Sequence, residues 1–475
     1  MICISGREVS NNALSLRLNR HGDYINEIRL DLMDERLDLG LIRDRAGNII
    51  LSLGASTNGR HPKYLTDICE EATRFGLGYI DMDIKASESE EVKELLKHRG
   101  ATKIIYSAYL KDIFDEEFSG FLKRANESGG DIAKVVVEIR DAADMTILSE
   151  FRKRNEGELI ILGAGWRGAL TTIRYKDFGS LFAYACLDED LSSFYGELSL
   201  DEALRFGAGA TPPPILLGVT GGEQVKNSSG YRVYNKVFRV RDMNFAYLRL
   251  PTAHIKETVE LIRRFKFRGL SVTMPHKQTI MPLLDKIDER AARVGAVNNI
   301  TNENGVLTGY NTDVDGVSAA FLSRTEIAGM RAAVLGAGGA ARAAVCALTE
   351  GGAKVTVYNR NIERAKEVAK VFKTESAKLK EFPRDEFDIL INATSIGMDS
   401  DESPVKNVGI LKRKTVLDMV YHPARTRLIR ESQEAGALIT IPGTEVWLQQ
   451  GLLQLKRWTG VEFSRSALER AMENP

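Results

Sequence analysis

The chain has 475 residues, which is too many for one ordinary hydrophobic core and predicts roughly two to four domains. It carries 65 basic and 65 acidic side chains, so its net charge of zero gives no reason to expect nucleic acid or an anionic membrane surface as a partner. The four cysteines form no CxxC pair and the six histidines are scattered, which argues against a disulfide framework and a metal site. Because it lacks an apolar run of membrane-span length and an N-terminal signal-peptide pattern, we expect a cytoplasmic protein.

Short β-type runs alternate with helical patterns in the first part of the chain. The runs include 26–33, 48–53, 78–84, 102–110, 133–139 and 158–165. Strand-then-helix alternation at this spacing is typical of parallel strands joined by helical crossovers. Roughly eight such units in about 200 residues predict a small (β/α)8 barrel over residues 1–207, and an open doubly wound sheet is the competing architecture.

The segment GAGATPPPILLGVTGG (207–222) predicts the main domain boundary, because three consecutive prolines suit neither a helix interior nor a central strand. After it we expect a second α/β region at 214–315, followed by a doubly wound, Rossmann-type domain at 316–445. C-terminal helices at 446–475 are expected to pack back on the second region. The whole chain is therefore predicted to be of the α/β class.

A glycine-rich turn, Gly336-Ala337-Gly338-Gly339-Ala340-Ala341, follows the apolar run AAVL and precedes an alanine-rich helical pattern. In such a turn the first glycine permits the tight bend, the second lets a pyrophosphate approach the backbone, and the third small residue lets helix and strand pack closely. The start of the helix offers free N–H groups and the positive end of a dipole. This context predicts a dinucleotide site that includes Gly336, Gly338, Gly339 and Ala340.

The end of the next predicted strand indicates which dinucleotide binds. An NAD site usually places Asp or Glu about 20 residues after the turn. This chain instead has Asn359-Arg360-Asn361, with Arg364 one turn further on. Guanidinium groups bind a 2′-phosphate that a carboxylate would repel, so Asn359, Arg360 and Arg364 predict NADP(H) as the cofactor. The alternative is that these arginines are solvated surface residues.

Four more motifs accompany this turn: SVTMPHK (271–277), GAVNN (295–299), GYNTD (309–313) and DMVYHP (418–423). In order and spacing they resemble the shikimate dehydrogenase family over residues 214–472. The resemblance implies that Lys277 is the catalytic lysine and Asp313 its paired aspartate. It implies substrate contacts from Ser228, Gly230, Thr273, Asn298, Tyr421 and Gln450. It also places Thr394 and Gly443 at the cofactor.

These residue types suit the reduction of a ring ketone. A lysine ammonium beside the carbonyl oxygen supplies a proton and stabilises negative charge, and a carboxylate beside the lysine holds it and tunes its pKa. Neutral donors such as Asn298, Thr273 and Gln450 fix ring hydroxyls by geometry. A lysine–aspartate pair taken alone is more often a surface ion pair, but within these motifs we interpret Lys277 and Asp313 as catalytic.

One departure from the family pattern bears on the substrate. The family usually has Ser-x-Ser-Pro near the start of this region, where the chain reads Ser228-Ser229-Gly230-Tyr231. Gly230 stands at the second serine position, which removes one hydroxyl and enlarges that corner of the site. Quinate carries an additional hydroxyl on its carboxylate-bearing carbon. We therefore predict shikimate as the substrate and keep quinate as the alternative.

The first 205 residues resemble type I 3-dehydroquinate dehydratase, a (β/α)8 barrel whose lysine forms a Schiff base. The matching pieces are Glu27-Ile28-Arg29, Asp131-Ile132-Ala133-Lys134 and Phe178-Gly179-Ser180. The resemblance implies that Lys134 is the Schiff-base lysine and that Glu27 and Arg29 bind substrate. Inside a barrel, burial is expected to lower the pKa of Lys134 and free its amine. On a strand end, the same lysine would reach solvent instead.

Several positions of the dehydratase pattern are altered. Tyr109 stands where the family has a catalytic histidine, and Asp83 where it has the glutamate that orients this histidine. Gly54 and Thr172 replace two arginines, with Arg174 as a possible substitute for the second. Near the end of the barrel the pattern reads Ser193 and Glu197.

Two hypotheses follow from these replacements. In the first, the barrel is a working dehydratase whose acid/base set is rebuilt from Tyr109, Asp83 or His61. In the second, it is a non-catalytic structural or binding domain attached to a dehydrogenase. Because 3-dehydroshikimate is the product of the dehydratase and the substrate of the dehydrogenase, we predict a bifunctional enzyme of the shikimate pathway. Its expected partners are small molecules, and its oligomeric state is left open.

Overall fold

The structure is a computed structural model that describes residues 1–54, 63–111, 113, 115–154, 157–187, 197–383, 386–398 and 400–473. The chain divides into two compact units. The first contains Met1–Ile215 and Arg241–Arg264, and the second contains Leu216–Val240 and Phe265–Pro475. In the described part of the chain, no helix is both long enough and apolar enough to cross a membrane.

The first unit is built on eight parallel strands. They are β1 (Ile2–Ser5), β2 (Ile25–Arg29), β3 (Ile49–Ser52), β4 (Tyr79–Asp83), β5 (Lys103–Leu110), β6 (Ile132–Glu138), β7 (Glu158–Ala164) and β8 (Ala183–Cys186). Hydrogen-bonded neighbours follow the order β7-β6-β5-β4-β3-β2-β1-β8. The N–H of Leu181, just before β8, donates to the carbonyl of Leu159 in β7 at 3.0 Å. The sheet is therefore a nearly closed barrel, which confirms the (β/α)8 prediction over the open sheet.

Seven helices of the first unit precede the boundary segment in the described residues. They are α1 (Asn11–His21), α2 (Lys63–Thr73), α3 (Glu90–His98), α4 (Asp115–Glu127), α5 (Ala142–Arg154), α6 (Ala169–Ile173) and α7 (Leu200–Arg205). Serine side chains cap three of them: Ser10 accepts from the N–H of Ala13 in α1, Ser89 from that of Val92 in α3, and Ser199 from that of Glu202 in α7. Such caps satisfy N–H groups that have no partner within the helix.

Side chains inside the barrel form layers to which alternate strands contribute. The layer from β2, β4, β6 and the approach to β8 is apolar and consists of Ile25, Tyr79, Ile132 and Phe182. Because side chains alternate along a strand, the residues two positions further face the same interior. They form a polar layer that consists of Glu27, Asp81, Lys134 and Tyr184. The polar cluster is thus set on an apolar floor toward the carboxyl ends of the strands.

The chain after the boundary segment contains a second group of short elements. They are β9 (Ile215–Gly221), α8 (Ser229–Val240), β10 (Phe245–Pro251), α9 (Ile255–Arg264), β11 (Gly269–Val272), β12 (Lys286–Ile287), α10 (Glu289–Val294), β13 (Asn299–Glu303), β14 (Val306–Tyr310) and α11 (Asp313–Leu322). Within the second unit the strands follow the order β9-β11-β13-β14-β12. β9 and β11 are parallel, and β13 is antiparallel to both β11 and β14.

The segment of β10 and α9 belongs to the first unit. The carboxylate of Asp141, just before α5, accepts from the hydroxyl of Thr252 at 2.9 Å and from the N–H of Ala253 at 3.0 Å. At the other end of α9, the guanidinium of Arg264 donates to Glu150 at 2.8 Å. These bonds hold both ends of α9 against α5.

The second unit also contains a six-stranded parallel sheet. Its elements are β15 (Arg331–Leu335), α12 (Gly339–Glu350), β16 (Lys354–Asn359), α13 (Ile362–Phe372), β17 (Glu375–Lys378), β18 (Ile389–Asn392), β19 (Thr415–Asp418), α14 (Arg427–Glu434) and β20 (Ile439–Ile441). The strand order β17-β16-β15-β18-β19-β20 is the 3-2-1-4-5-6 order of the Rossmann fold. This confirms the prediction of a Rossmann-type domain and places its switch point between β15 and β18.

Two C-terminal helices complete the second unit: α15 (Gly443–Thr459) and α16 (Arg465–Glu473). α15 packs against α11, and α16 packs against α8. The indole N–H of Trp458 in α15 donates to the carbonyl of Ile300 in β13 at 2.9 Å. Trp447, also in α15, stacks on the ring of Tyr234 in α8 with centroids 5.8 Å apart.

Candidate active sites

The polar layer of the barrel is a buried charge cluster around Lys134. Its Nζ donates to Oε1 of Glu27 at 2.8 Å and to Oδ2 of Asp81 at 2.5 Å. The hydroxyl of Tyr184 lies 3.4 Å from the same nitrogen. Each of these four side chains is less than a tenth exposed. Lys134 therefore points into the barrel and does not reach solvent from a strand end.

The charge state of Lys134 differs from the prediction. Burial by itself lowers the pKa of this lysine, but the carboxylates of Asp81 and Glu27 outweigh burial and raise the pKa above its ordinary value. The expectation of a depressed pKa is wrong because two carboxylates from other strands converge on the ammonium. The amine is thus held protonated until a neighbour accepts its proton.

A cavity of about 190 Å³ opens beside this layer. Besides the four polar side chains, Arg29, Asp83 and Tyr109 line it. The second carboxylate oxygen of Asp81, Oδ1, is buried and has no hydrogen-bond partner in the described part of the chain. A buried acceptor without a partner costs free energy, so this oxygen suits a ligand hydroxyl.

The predicted substrate and acid/base residues at the carboxyl ends of β2, β4 and β5 lie around this cavity. Arg29 forms a bidentate ion pair with Asp31, with bonds of 2.7 and 2.6 Å. Asp83 accepts from the N–H of Lys85 at 2.8 Å. Tyr109 is 58% exposed, so its hydroxyl group belongs to the rim and not to the buried layer.

Other predicted barrel residues lie elsewhere. Arg174 is paired with Asp177 at 2.6 Å and is not among the described residues that line the cavity. Glu197 is buried and accepts from the hydroxyl of Ser5 at 2.7 Å. Ser193 and His61 lie outside the described residues. The structure therefore gathers Glu27, Arg29, Lys134, Asp83 and Tyr109 at one cavity and leaves Arg174 apart.

The second unit contains a separate lysine–aspartate pair. Nζ of Lys277, in the turn after β11, donates to Oδ2 of Asp313 at 2.5 Å. Nδ2 of Asn298, which directly precedes β13, donates to Oδ1 of the same aspartate at 2.8 Å. The side chains of Lys277 and Asp313 are only 15% and 8% exposed, so this is not a surface ion pair.

Amide side chains extend the network from Asn298. Oε1 of Gln450 accepts from Nδ2 of Asn298 at 3.0 Å and from Nε2 of Gln454 at 2.8 Å. Oε1 of Gln454 in turn accepts from the hydroxyl of Ser271 at 2.8 Å. The hydroxyl of Thr312 also donates to Oε1 of Gln450, at 3.5 Å. The oxygen of Gln450 is thus occupied by three donors, which leaves its NH₂ group as the donor available to a ligand.

The remaining substrate candidates lie at the edge where β9 and β11 end. Thr273 follows β11, and its N–H donates to the carbonyl of Thr220 in β9 at 2.9 Å. Ser228 precedes α8, where its hydroxyl accepts from the N–H of Tyr231 at 3.3 Å. Gly230 is buried in the first turn of this helix. Because β9 and β11 are parallel neighbours, their following loops meet at one edge.

Tyr421 is placed by the loop after β19. Burial, and then the Asp313 carboxylate, raise the pKa of its phenol, so this side chain faces the lysine–aspartate pair. Its ring centroid lies 6.2 Å from that of Trp447 in α15. Tyr421 thereby joins the same site from the nucleotide-binding side.

The glycine-rich turn has the predicted geometry between β15 and α12. Gly336 has a φ of +113°, and a Cβ on it would lie 2.8 Å from the carbonyl oxygen of Ala393, so only glycine suits this position. A Cβ on Gly338 would meet nothing within 4 Å, which leaves open space above the helix start. A Cβ on Gly339 would lie 3.1 Å from Cδ of Lys277. The turn and the predicted catalytic lysine are therefore direct neighbours.

The other predicted cofactor residues surround the turn. Thr394 follows β18, and its Cγ2 would lie 3.5 Å from a Cβ on Gly336. Asn359 ends β16 and donates to the carbonyl of Asn361 at 2.9 Å. Arg360 and Arg364 are exposed, and neither forms an ion pair with a carboxylate in the described part of the chain. They are thus available to an anion.

Two further predicted cofactor residues, Gly443 and Ala340, lie in the first turns of helices. Gly443 begins α15, where a Cβ would lie 2.5 Å from the carbonyl oxygen of Val420, so close packing requires glycine there. Ala340 lies in the first turn of α12 and is partly exposed. Among the described residues, no cluster of His, Cys, Asp or Glu has the arrangement of a metal site.

Four members of these networks were not predicted from the sequence: Asp81, Tyr184, Gln454 and Thr312, whose hydroxyl accepts from Nδ2 of Asn298 at 3.0 Å. Asp81 lies two residues after the inward-facing Tyr79, so strand alternation is the signal that identifies it. Gln454 lies one helical turn after Gln450 on the same face of α15. Their contacts with other strands and helices are not encoded in any local pattern.

Comparisons with known proteins agree with both halves of this description. Residues 2–206 match the family described as type I 3-dehydroquinase. Residues 221–300 match the shikimate dehydrogenase substrate binding domain, and residues 320–402 match shikimate / quinate 5-dehydrogenase.

The chain is 30% identical over 426 residues to the bifunctional 3-dehydroquinate dehydratase/shikimate dehydrogenase of Arabidopsis thaliana, with 83% of this chain and 69% of that protein covered. It is 34% identical to the shikimate dehydrogenase (NADP(+)) of Nitrosopumilus maritimus, with 53% of this chain and 96% of that protein covered. The crystal structure of shikimate dehydrogenase from Aquifex aeolicus superimposes with a TM-score of 0.52 at 34% identity, covering 55% of this chain and 98% of that one. The chain therefore belongs to the family of bifunctional 3-dehydroquinate dehydratase/shikimate dehydrogenases.

Proposed function

We propose that this chain catalyses two consecutive reactions. Its barrel dehydrates 3-dehydroquinate to 3-dehydroshikimate, and its second unit reduces that product to shikimate with NADPH. The observation that carries the proposal is that each unit pairs a largely buried lysine with acidic side chains: Lys134 with Glu27 and Asp81, and Lys277 with Asp313. The relative from Arabidopsis, which is named for both activities, supports the pairing of the two reactions.

In the reduction, Lys277 is proposed as the proton donor to the ketone oxygen. Asp313 holds the ammonium at 2.5 Å, and Asn298 fixes the other oxygen of this carboxylate, so the donor is oriented before substrate binds. The free NH₂ group of Gln450 is assigned to a ring hydroxyl. Thr273, Tyr421 and Ser228 are proposed as further contacts.

The turn at Gly336 fits a dinucleotide. The open space above Gly338 and the start of α12 suit a pyrophosphate, and the unpaired Arg360 and Arg364 suit a 2′-phosphate. Bound NADPH supplies the hydride for the ketone carbon. The contact between Gly339 and Lys277 keeps the proton donor next to the cofactor site.

In the dehydration, Lys134 is proposed to attack the ketone carbon of 3-dehydroquinate. Its ammonium first passes a proton to Asp81 or Glu27, the two carboxylates within 2.8 Å. The amine nitrogen then bonds to the carbon, and water leaves to give the iminium. The iminium acidifies the neighbouring C–H, a base removes this proton, and the ring hydroxyl leaves as water. Hydrolysis of the imine releases 3-dehydroshikimate and restores Lys134.

The base that removes the proton from the C–H group is assigned to a residue at the rim of the cavity. Tyr109 and Asp83 both line it. A carboxylate accepts a proton directly, whereas a phenol must first lose its own proton, so Asp83 is assigned as the base. The free oxygen of Asp81 is proposed to accept from a substrate hydroxyl.

A second candidate function is a dehydrogenase with a non-catalytic barrel. The observation that favours it is the double ion pair of Lys134, since a lysine with a raised pKa is a poor nucleophile. In this version quinate is an alternative substrate of the second unit, because Gly230 lacks the hydroxyl of the serine that the family has at this position. Turnover of quinate faster than shikimate would establish that preference.

The experiment that separates the two is a coupled assay on the full chain. 3-Dehydroquinate or 3-dehydroshikimate is added with NADPH, and absorbance of the reduced cofactor is followed. We expect oxidation with both substrates, shikimate as the product, and loss of only the 3-dehydroquinate route in Lys134→Ala. Oxidation with 3-dehydroshikimate alone would leave a dehydrogenase with a silent barrel.

We propose a cytoplasmic location on the sequence alone. The related protein of Arabidopsis thaliana is chloroplastic. Fractionation of cells that express the tagged chain tests this location.

A further inference from the structure

The ion pair between Arg29 and Asp31 has the geometry by which arginine binds a ligand carboxylate. Nε of Arg29 lies 2.7 Å from Oδ1 of Asp31, and Nη2 lies 2.6 Å from Oδ2. Two parallel bonds to both carboxylate oxygens use one complete edge of the guanidinium. The two side chains are 20% and 24% exposed, so the pair lies partly in solvent at the mouth of the barrel.

Arg29 is placed to meet a ligand. It follows Glu27 by two residues on β2, so both side chains face the barrel interior. It lines the cavity together with Lys134. Lys134 is already held by two buried carboxylates. Among the described lining residues, Arg29 is therefore the cation best shaped for a substrate carboxylate.

The position of Asp31 is matched to Gly54, which lies just after the next strand, β3. A Cβ on Gly54 would lie 2.1 Å from Oδ2 of Asp31 and 2.3 Å from its Cγ. Gly54 also has a φ of +69°, which disfavours other residues. The carboxylate of Asp31 therefore fills the space in which a side chain at position 54 would begin. Arg29, Asp31 and Gly54 form one packed arrangement at the rim.

We propose that Asp31 is an internal competitor for the substrate carboxylate and sets the affinity of the barrel for anionic ligands. The incoming carboxylate takes the edge of Arg29 that Asp31 occupies, and Asp31 turns to solvent. The inference rests on the proposed dehydratase function for the identity of the ligand. It adds a specificity-determining residue that is not itself part of the lysine chemistry.

The opposite role would be that Asp31 only orients Arg29. Removal of the carboxylate would then loosen the guanidinium and weaken binding. The two roles predict changes of opposite sign, so a binding measurement decides between them.

The test is calorimetric titration of the full chain with quinate, without NADP⁺. Quinate carries the carboxylate but has no ketone for Lys134 to attack, so binding is measured without turnover. The barrel component is the part that disappears in Arg29→Met. We expect Asp31→Asn to lower the Kd of this component about tenfold, a factor equal to ~1.4 kcal/mol. Asp31→Ala, which offers Arg29 no amide in place of the carboxylate, must change the Kd in the same direction.

Glu158→Gln is the matched control. It removes one negative charge from the same barrel, and Glu158 is paired with Lys103 outside the cavity lining. Its Kd should equal that of the wild type. An unchanged or higher Kd in the Asp31 variants overturns the proposal. So does the absence of any Arg29-dependent binding in both the wild type and these variants.

Borohydride trapping with 3-dehydroquinate reports on the proposed function separately. One outcome is a reduced adduct on Lys134 that forms at the same half-saturating concentration in the wild type and in Asp31→Asn. That result would support the dehydratase function and contradict the competitor role of Asp31. Tighter quinate binding in Asp31→Asn without any adduct would support the competitor role of Asp31 and contradict the Schiff-base mechanism at Lys134. The two failures are therefore distinguishable.

Discussion

The orientation of one amide group decides what the site in the second unit offers to a ring hydroxyl. Gln450 presents its NH₂ group because Asn298 and Gln454 both donate to its oxygen. Gln454 is 2% exposed and bonds through both ends of its amide, to Gln450 and to Ser271. It does not need to touch substrate to matter, since it fixes which end of Gln450 does.

We predict that Gln454→Leu raises KM for shikimate about fivefold with a smaller change in kcat. The oxygen of Gln450 loses its donor from Gln454, so its amide samples both orientations. One hydrogen bond of typical strength is worth about 1 kcal/mol. Steady-state kinetics at saturating NADP⁺ measure the split. Gln449→Leu, the neighbouring residue on α15, is the control and should keep both constants. Equal losses in KM and kcat for both variants would contradict this assignment.

A buried carboxyl on β19 links two loops of the nucleotide-binding side. Asp418 accepts from Thr426 at 2.6 Å, from Asn392 at 2.9 Å and from the N–H of Val420 at 3.0 Å. Burial raises the pKa of Asp418 from 3.8 to about 6, although these donors partly offset the effect. Asn392 also accepts from Thr394, so the carboxyl supports a predicted cofactor residue.

We predict that the wild-type protein loses folding stability as pH rises above about 4, and that the Asp418→Asn variant does not show this loss. The native carboxyl keeps its proton to about pH 6, whereas the unfolded chain releases it near 3.8. A raised pKa contributes stability that is full below the unfolded value and is lost as pH rises through the folded value. The loss amounts to at most ~3 kcal/mol at pH 7.

The measurement is thermal unfolding at pH 4.5 and 7, using the transition that NADP⁺ shifts. The stability of Asp418→Asn relative to wild type should increase between these pH values. Asp401→Asn, which removes an exposed carboxylate from the same unit, should show no such increase. A difference that is constant with pH would contradict the raised pKa.

At the scale of elements, the turn from β16 to α13 contains the residues that are predicted to select NADP(H) over NAD(H). Asn361 caps α13 by accepting from the N–H of Glu363 at 3.0 Å, which fixes the direction of the first helical turn. Arg360 and Arg364 flank this cap on the exposed side. Local sequence is sufficient here, because the strand end, the cap and both arginines lie within six consecutive residues.

We predict that the double variant Arg360→Ala and Arg364→Ala weakens NADP⁺ binding by ~10- to 100-fold and leaves NAD⁺ binding nearly unchanged. Charge-assisted hydrogen bonds are worth about 1.5–3 kcal/mol, and only NADP⁺ has the 2′-phosphate that makes them. Fluorescence titration gives both constants. Lys370→Ala, a cation in the last turn of α13, is the control. An equal loss for both cofactors would show that the arginines do not contact the 2′-phosphate.

Other elements were less visible in the sequence. β1 and β8 have four residues each and are buried at every position, so they show no alternation of polar and apolar side chains. The longer strands β5, β6 and β7 were predicted from their β-branched runs. Only the closed barrel shows why Glu27, Asp81 and Lys134 are neighbours, since they come from three strands that are not adjacent in the sheet.

On the scale of the whole molecule, the two sites belong to different compact units. Lys134 and its carboxylates lie within the first unit, and Lys277 with the glycine-rich turn lies within the second. The product of the proposed dehydration is the substrate of the proposed reduction. Covalent linkage therefore keeps equal amounts of the two enzymes, whatever their separate rates.

By itself the sequence indicated the two halves of the chain, a (β/α)8 barrel in the first with an open sheet as the alternative, and a Rossmann-type domain in the second. Through resemblance to two enzyme families, it also indicated the residues proposed for catalysis. These follow from strand–helix periodicity, from the glycine-rich turn and from motifs of fixed spacing, all of which are local. The NADP(H) prediction is local for the same reason.

Only the tertiary structure decided the electrostatics of the sites. Burial alone predicted a lowered pKa for Lys134, yet Glu27 and Asp81, distant in sequence, raise it. The pairing of Arg29 with Asp31 depends in the same way on the space that Gly54 leaves after the next strand. Coulomb energy depends on the distance between charges in space, and a one-dimensional pattern does not contain that distance.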